Sequence, residues 1–211
     1  REGRMTGSRG YDEAAAYVAD QFEAMGLEPG GMGGWYQEVP LITRRTDIDN
    51  SGVTLHKSDG DVVLEWGRDV VIYADRLREK TRVRAEVVFV GFGIHAPELD
   101  YSDLEGIDIS GKIVAYFSGA PDTFPSTERA HFSSGRTKAD ELVNRGAIGE
   151  IGLMSRVEEN RFTWSGKTSA RERMAWIDES GDVADFHPEL LGSADLRPNA
   201  ARQLFEEASI T

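Results

Sequence analysis

The sequence predicts an α+β chain, β-rich through its middle and flanked by helices. Three observations predict it. A helical apolar period runs through residues 8–25. From Thr43 onward, short strand-like runs recur with turn residues between them. A strand–helix–strand passage then starts at Lys112. At 211 residues the chain is long enough to bury a real core without disulfide or metal.

Ser8 is placed to cap the first helix. Ala14, Val18, Phe22 and Met25 fall on one stripe with Ala15 and Ala19 beside it, and Gly26 followed by Pro29 stops the helix. A Gly-rich link over 30–34 leads to a strand expected over 35–42. A helix, a link and one strand are too little for a domain, so the stripe calls for a partner from outside this segment. Strands are expected over 52–56, 61–65, 70–73, 83–90 and 112–117. Turn chemistry separates them, as at Asp49-Asn50-Ser51-Gly52 and Ser58-Asp59-Gly60-Asp61. A helix over 137–145 has Ala139, Leu142 and Val143 on its apolar face and closes at Gly146. A buried strand follows over 148–154. Residues 155–185 read as charged loop anchored by Trp164 and Trp176. A last helix starts at Pro198 with Ala201, Leu204 and Phe205 inward.

The formal charge of −13 argues against nucleic acid, which is bound by clustered Lys and Arg, and against an anionic membrane surface. The absence of cysteine removes disulfides, thiolate metal sites and thiol nucleophiles together. Several motif fragments fail on their missing parts. Gly91-Phe92-Gly93-Ile94-His95-Ala96 fits a dinucleotide-binding turn, but Pro97 stands where the helix must begin, so a turn after a strand is expected. Gly166-Lys167-Thr168 lacks the second glycine of a P-loop, Arg161 standing there, and reads as a solvated loop. Asp47-Ile48-Asp49-Asn50-Ser51-Gly52 starts like a calcium loop, yet its twelfth position is Ser58, and an Asx-type turn is expected. His56, His95, His131 and His187 do not pair at helical metal-ligand spacing. His95 with Glu98, Asp100 and Asp103 is the one metal-like grouping, in a polar loop where solvated carboxylates are the competing reading. There is no G-x-S-x-G elbow and no H-E-x-x-H.

Two stretches together resemble a known family. Arg4-Met5-Thr6-Gly7-Ser8, Met25-Gly26-Leu27-Glu28-Pro29 and Trp35-Tyr36-Gln37-Glu38-Val39-Pro40-Leu41 resemble the N-terminal start of co-catalytic zinc aminopeptidases, metallopeptidase family twenty-eight. The run from Val87-Val88-Phe89-Val90-Gly91-Phe92-Gly93-Ile94 continues through Ala96-Pro97-Glu98-Leu99 and Tyr101-Ser102-Asp103-Leu104 to Asp108-Ile109-Ser110-Gly111-Lys112-Ile113-Val114. It resembles the protease-associated (PA) domain inserted in many of these enzymes. Gly135-Arg136-Thr137-Lys138-Ala139 and Arg145-Gly146-Ala147-Ile148-Gly149 fit it as well.

The resemblance implies an organisation in three parts. Residues 1–42 are the opening helix and strand of an α/β peptidase domain absent from this chain. Residues 43–205 form the PA-like domain, a β-sandwich or open barrel with flanking helices, and 206–211 begin the return to the catalytic domain. In the family two zinc ions and a glutamate base come after the insertion. No H-x-D motif occurs here, so the chain carries no catalytic, cofactor or metal residue of its own, and the parent protein is the expected metallo-aminopeptidase. The expected role is to shape substrate access or bind peptide beside the active site. Phe92, His95, Tyr101, Arg136 and Lys138 are the candidate peptide contacts. Core packing competes for Phe92 and Tyr101, and a surface charge at the helix start competes for Arg136 and Lys138. Expected partners are a peptide or protein substrate, the catalytic domain in cis and a second copy through the N-terminal helix, in a secreted or periplasmic setting. An independent peptide- or protein-binding module of receptor or sorting type is the alternative.

Overall fold

The computed structural model describes residues 3–31, 33–161, 164–169, 172–184 and 187–206. It divides into two units, Arg1–Pro40 and Leu41–Thr211. In the first, helix α1 spans Arg9–Ala24, and the Ser8 hydroxyl accepts from the Tyr11 N–H as its cap. Gly26, with φ of +76°, takes the left-handed turn that ends it. Ala19 is its buried residue, while Val18, Phe22 and Met25 stay exposed. Phe22 leans on Trp35, with ring centroids 6.1 Å apart. The strand expected over 35–42 is displaced. Residues 36–40 form no ladder, and Pro40 has no N–H to give to one.

The second unit is a mixed α/β structure. Its strands begin with β1 (Leu41–Arg45), β2 (Val53–Lys57), β3 (Gly60–Leu64), β4 (Val70–Ile72) and β5 (Val87–Phe89). A short pair follows, β6 (His95–Ala96) and β7 (Tyr101–Ser102), then β8 (Ile113–Phe117) and helices α2 (Ser126–Phe132) and α3 (Gly135–Asn144). The chain continues through β9 (Gly149–Leu153), α4 (Arg156–Arg161), α5 (Trp164–Ser169), β10 (Glu172–Trp176), β11 (Ser193–Leu196) and α6 (Pro198–Phe205). Five strands make one sheet in the order β4-β11-β9-β8-β5. The β11–β9, β9–β8 and β8–β5 pairs are parallel, and β4 closes one edge antiparallel. Three two-stranded ladders, β1–β10, β2–β3 and β6–β7, complete the β-structure among the described residues.

Side-chain alternation along these strands gives the sheet two unlike faces. One face carries Val70, Ala115, Ile151, Leu153, Ala194 and Leu196, all buried. Leu55 and Leu64 of the β2–β3 hairpin and Ala200 and Ala201 of α6 pack onto it, with Leu204 alongside. Each fully buried Leu here contributes about 1.5–3 kcal/mol. The other face is apolar only at its ends. Val114 and Tyr116 pack under Leu142 of α3, and Val71 packs with Met154 and Trp164. Between those ends stand Glu150, Gly152, Ser193 and Asp195.

Several expectations change in the region 155–185. The expected loop contains α4, α5 and β10, the last supplying β1 with its partner. Gly166-Lys167-Thr168 is therefore helical. Trp164 seeds that helix by burying its ring and donating its indole N–H to the Gly67 carbonyl at 2.7 Å. Helix α2 and strand β11 also lie outside the sequence expectation. The strand expected over 83–90 shortens to its last residues, where β8 provides a ladder. Of the expected return segment 206–211, all but Glu206 lies outside the described residues.

The Gly91–Gly93 turn has a definite occupant. Both glycines have positive φ, +55° and +68°. The N–H groups of Phe92 and Ile94 donate to Asp103 Oδ2 at 3.0 and 3.2 Å. Converging backbone N–H groups of this kind make an anion cradle, and here the chain's own carboxylate fills it. A Cβ on Gly91 would lie 2.4 Å from Asp103 Oδ1. Gly91→Ala is expected to lose the backbone cost of about 1–2 kcal/mol and, in addition, displace Asp103. Gly106→Ala, also at positive φ but with open space around it, loses the backbone part alone. Urea denaturation of both variants checks this; equal losses would contradict the cradle.

Candidate functional site

The mixed face of the central sheet forms the floor of an open groove of about 770 Å³. Tyr116, Glu150, Gly152, Ser193 and Asp195 lie on the floor, Tyr73 at its β4 end, and Lys167 and Arg173 on its wall. Register explains the convergence. Tyr116, Gly152 and Asp195 are cross-strand neighbours, as are Glu150 and Ser193, so their side chains rise from the same face. Gly152 leaves the space that Asp195 occupies; a Cβ there would sit 2.2 Å from Asp195 Oδ1.

Each floor carboxylate is held by two donors. Tyr116 donates to Glu150 Oε2 at 2.8 Å, and Ser193 donates to Glu150 Oε1 at 2.7 Å. Tyr73 donates to Asp195 Oδ2 at 2.5 Å, and the Lys167 ammonium donates to the same oxygen. Burial, and then the neighbouring carboxylates, push the Tyr73 and Tyr116 hydroxyls well above the ordinary phenol range. Both therefore remain protonated and act as donors. The Arg173 guanidinium lies over the Tyr73 ring, 4.1 Å from its centroid. With the hydroxyl protons spent on the floor carboxylates, these groups turn a stacked cation and aromatic surface toward the groove, which is the chemistry of binding.

The five residues expected from sequence are dispersed. Lys138 departs most from the surface charge that competed for it: it is buried, and α3 directs it inward beside Ala139 and Leu142. Its ammonium donates to the carbonyls of Phe117 and Gly119 at 3.0 and 2.6 Å, with the Phe92 and Tyr116 rings nearby. Lys138 lines both the groove and a smaller recess of about 400 Å³ that includes His95. Arg136 lines the groove. Phe92 and Tyr101 pack around Ile94, Ala96, Phe124 and Phe132. The Tyr101 hydroxyl donates to Asp103 at 2.7 Å, and burial followed by that contact raises its pKa. His95 is exposed and pairs with the Ser102 hydroxyl at 3.0 Å. Among the described residues no three His, Asp or Glu side chains converge as a metal centre requires, the His95–Asp103 loop included. Asn50 closes the 47–52 segment as a turn, donating from its backbone and side chain to Asp47.

Arg136 and Lys138 apart, the residues that form the groove were not singled out from sequence, although one signal was present. Glu150 interrupts the buried strand expected over 148–154, and a carboxylate at such a position must find partners. Those partners come from distant segments, which single-sequence periodicity does not connect.

No family model matches the chain, and no curated protein does. Among solved structures, the aminopeptidase from Aneurinibacillus sp. strain AM-1 is similar, with a TM-score of 0.46 and 16% identity. The match covers 97% of this chain and 37% of that one, so this chain spans little more than a third of that protein's length. Similarity at this level assigns no residue and no activity here.

Burial lowers the Lys138 pKa from its ordinary 10.5 to about 8, with Asp103 and Glu158 opposing. Below that value the folded and unfolded chains both hold the proton, and the cost of the buried charge is present in full. Between about 8 and 10.5 only the folded chain gives the proton up, so this group makes stability rise with pH across that window. The Lys138 13Cε resonance is expected to titrate near pH 8, well below the ordinary lysine value of 10.5. In urea denaturation, Lys138→Met is expected to lower stability at neutral pH, since two partly buried carbonyls lose their donor. It is also expected to abolish the rise in the window; an unchanged rise would contradict the assignment.

Proposed function

We propose that this chain is a non-catalytic accessory part of a co-catalytic zinc aminopeptidase, and that its groove holds peptide substrate beside the active site. The observation that carries the reading is the groove itself, whose stacked Arg173 cation and aromatic lining suit an extended peptide. The ordered motifs of residues 4–41 and 87–149 support the choice of parent. On this reading residues 43–205 are the PA-like domain. The two zinc ions and the general base belong to a catalytic domain joined in cis, and the enzyme works in a secreted or periplasmic setting. Loops held by a rigid sheet are a suitable device for restricting access to a neighbouring cleft.

The purified chain is expected to leave aminoacyl-anilides uncleaved with zinc added. It is also expected to bind short peptides weakly, with amide shifts in 1H–15N spectra concentrated at Tyr73, Glu150, Arg173 and Ser193. Zinc-dependent turnover by this chain, or peptide shifts located away from the groove, would sink the proposal.

A further inference from the structure

The groove contains both signs of charge, but its acids are already engaged. Glu150 is held by Tyr116 and Ser193, and Asp195 by Tyr73 and Lys167. Glu172 pairs with Arg45. Asp75 accepts from the N–H groups of Leu77 and Arg78 and from the Arg78 guanidinium. The Tyr73, Tyr116 and Ser193 hydroxyl protons are spent in the same pairs, so what the groove offers a ligand is the positive charge of Arg173.

Arg173 is the centre of that offer. It is half-buried, and its guanidinium is stacked on Tyr73, whose hydroxyl is fixed by Asp195. Among the described residues no carboxylate pairs with it. Across the β1–β10 ladder it stands directly opposite Arg44, which is also half-buried. Arg44 donates from Nε to the Arg76 carbonyl at 3.4 Å and likewise has no carboxylate partner among the described residues. Like charges directly opposite on a sheet destabilise it, with Cβ atoms about 5 Å apart. Arg44 stands beside the groove, tied to the carbonyl of the groove-lining Arg76, and the stacked Arg173 guanidinium keeps its donor edge available for a carboxylate between them.

We propose that Arg44 and Arg173 together bind a carboxylate of a peptide lying in the groove, an inference that rests on the peptide-binding reading above. The carboxylate is either the peptide's C-terminus or an acidic side chain, and the test separates the two. The probes are acetate, an N-acetylated tetra-alanine with a free C-terminus, its C-terminal amide, and an amide with glutamate at an internal position. Binding is read from backbone amides and from the arginine Nε–Hε signals.

Both arginine signals are expected to move with acetate. The neutral amide is expected to bind about tenfold more weakly than at least one carboxylate peptide, and the stronger of those two identifies the source. Arg44→Gln and Arg173→Gln are expected to abolish that preference. Arg44→Gln is also expected not to lower the melting temperature without ligand, because it removes a repulsion. Arg173→Lys keeps the charge, loses the stacked fork, and should retain only part of the preference.

Equal binding of all three peptides through the groove would overturn the carboxylate proposal and leave the groove reading standing. Acetate shifts at both arginines, lost in the variants, with no peptide binding would overturn the peptide-binding reading and the proposal with it, leaving a small-anion site alone. Silence of both arginine signals to every probe would overturn it as well.

Discussion

Two carboxylates rise from the middle of a largely parallel sheet, and the arrangement of the second unit follows from satisfying them. Glu150 and Asp195 occupy strand positions that an apolar residue would fill more cheaply, since a charge removed from water needs partners. Tyr116, Ser193, Tyr73 and Lys167 are those partners, drawn from three strands or their ends and one helix. Gly152 between them supplies the room. Because the centre of this face is committed to polar groups, α3 and the Trp164 segment cover only its two ends. The groove is what remains between them. The opposite face has no such constraint and is closed by the β2–β3 hairpin and α6.

The same logic operates twice more in the fold. Asp103 sits in the cradle formed after β5 and binds that turn to Tyr101. Its negative charge stands where a dinucleotide-binding turn would receive phosphate, so the Gly-x-Gly pattern here serves an internal ligand. Lys138 answers carbonyls left over at the end of β8, from Phe117 and Gly119. In each case a charged side chain completes backbone or side-chain hydrogen bonding inside the unit. A charge of this kind looks like a binding residue in the sequence and turns out to be engaged internally. Arg173, stacked on a tyrosine and facing another arginine, is the contrasting case.

The first unit shows the complementary situation. Helix α1 has a sound cap, a sound stop and a regular apolar stripe, yet Val18, Phe22 and Met25 remain exposed. Local chemistry suffices to define such a helix, and the stripe's burial is a separate question that local chemistry does not answer. On the proposed function, this is the part of the chain that continues into a peptidase domain.

Local signals determined the elements whose partners are near in sequence. Ser8 and Gly26 bounded α1, Asp47 to Gly52 and Ser58 to Asp61 placed turns around β2, and alternating or continuous apolar runs located β8 and β9. The passage 155–185 defeated that reading, because α4, α5 and β10 are short and polar and form only against distant partners such as Gly67 and Leu41–Arg45. The same separation hid the groove. A carboxylate in an apolar strand is visible in the sequence as a demand for donors. Which tyrosine, serine or lysine meets it depends on strand order and register, and these arise from pairing across long stretches of chain, the Tyr73–Asp195 contact alone spanning 122 residues. The sequence alone determined that these charges required partners, and only the tertiary structure decided which residues served and what space they left open.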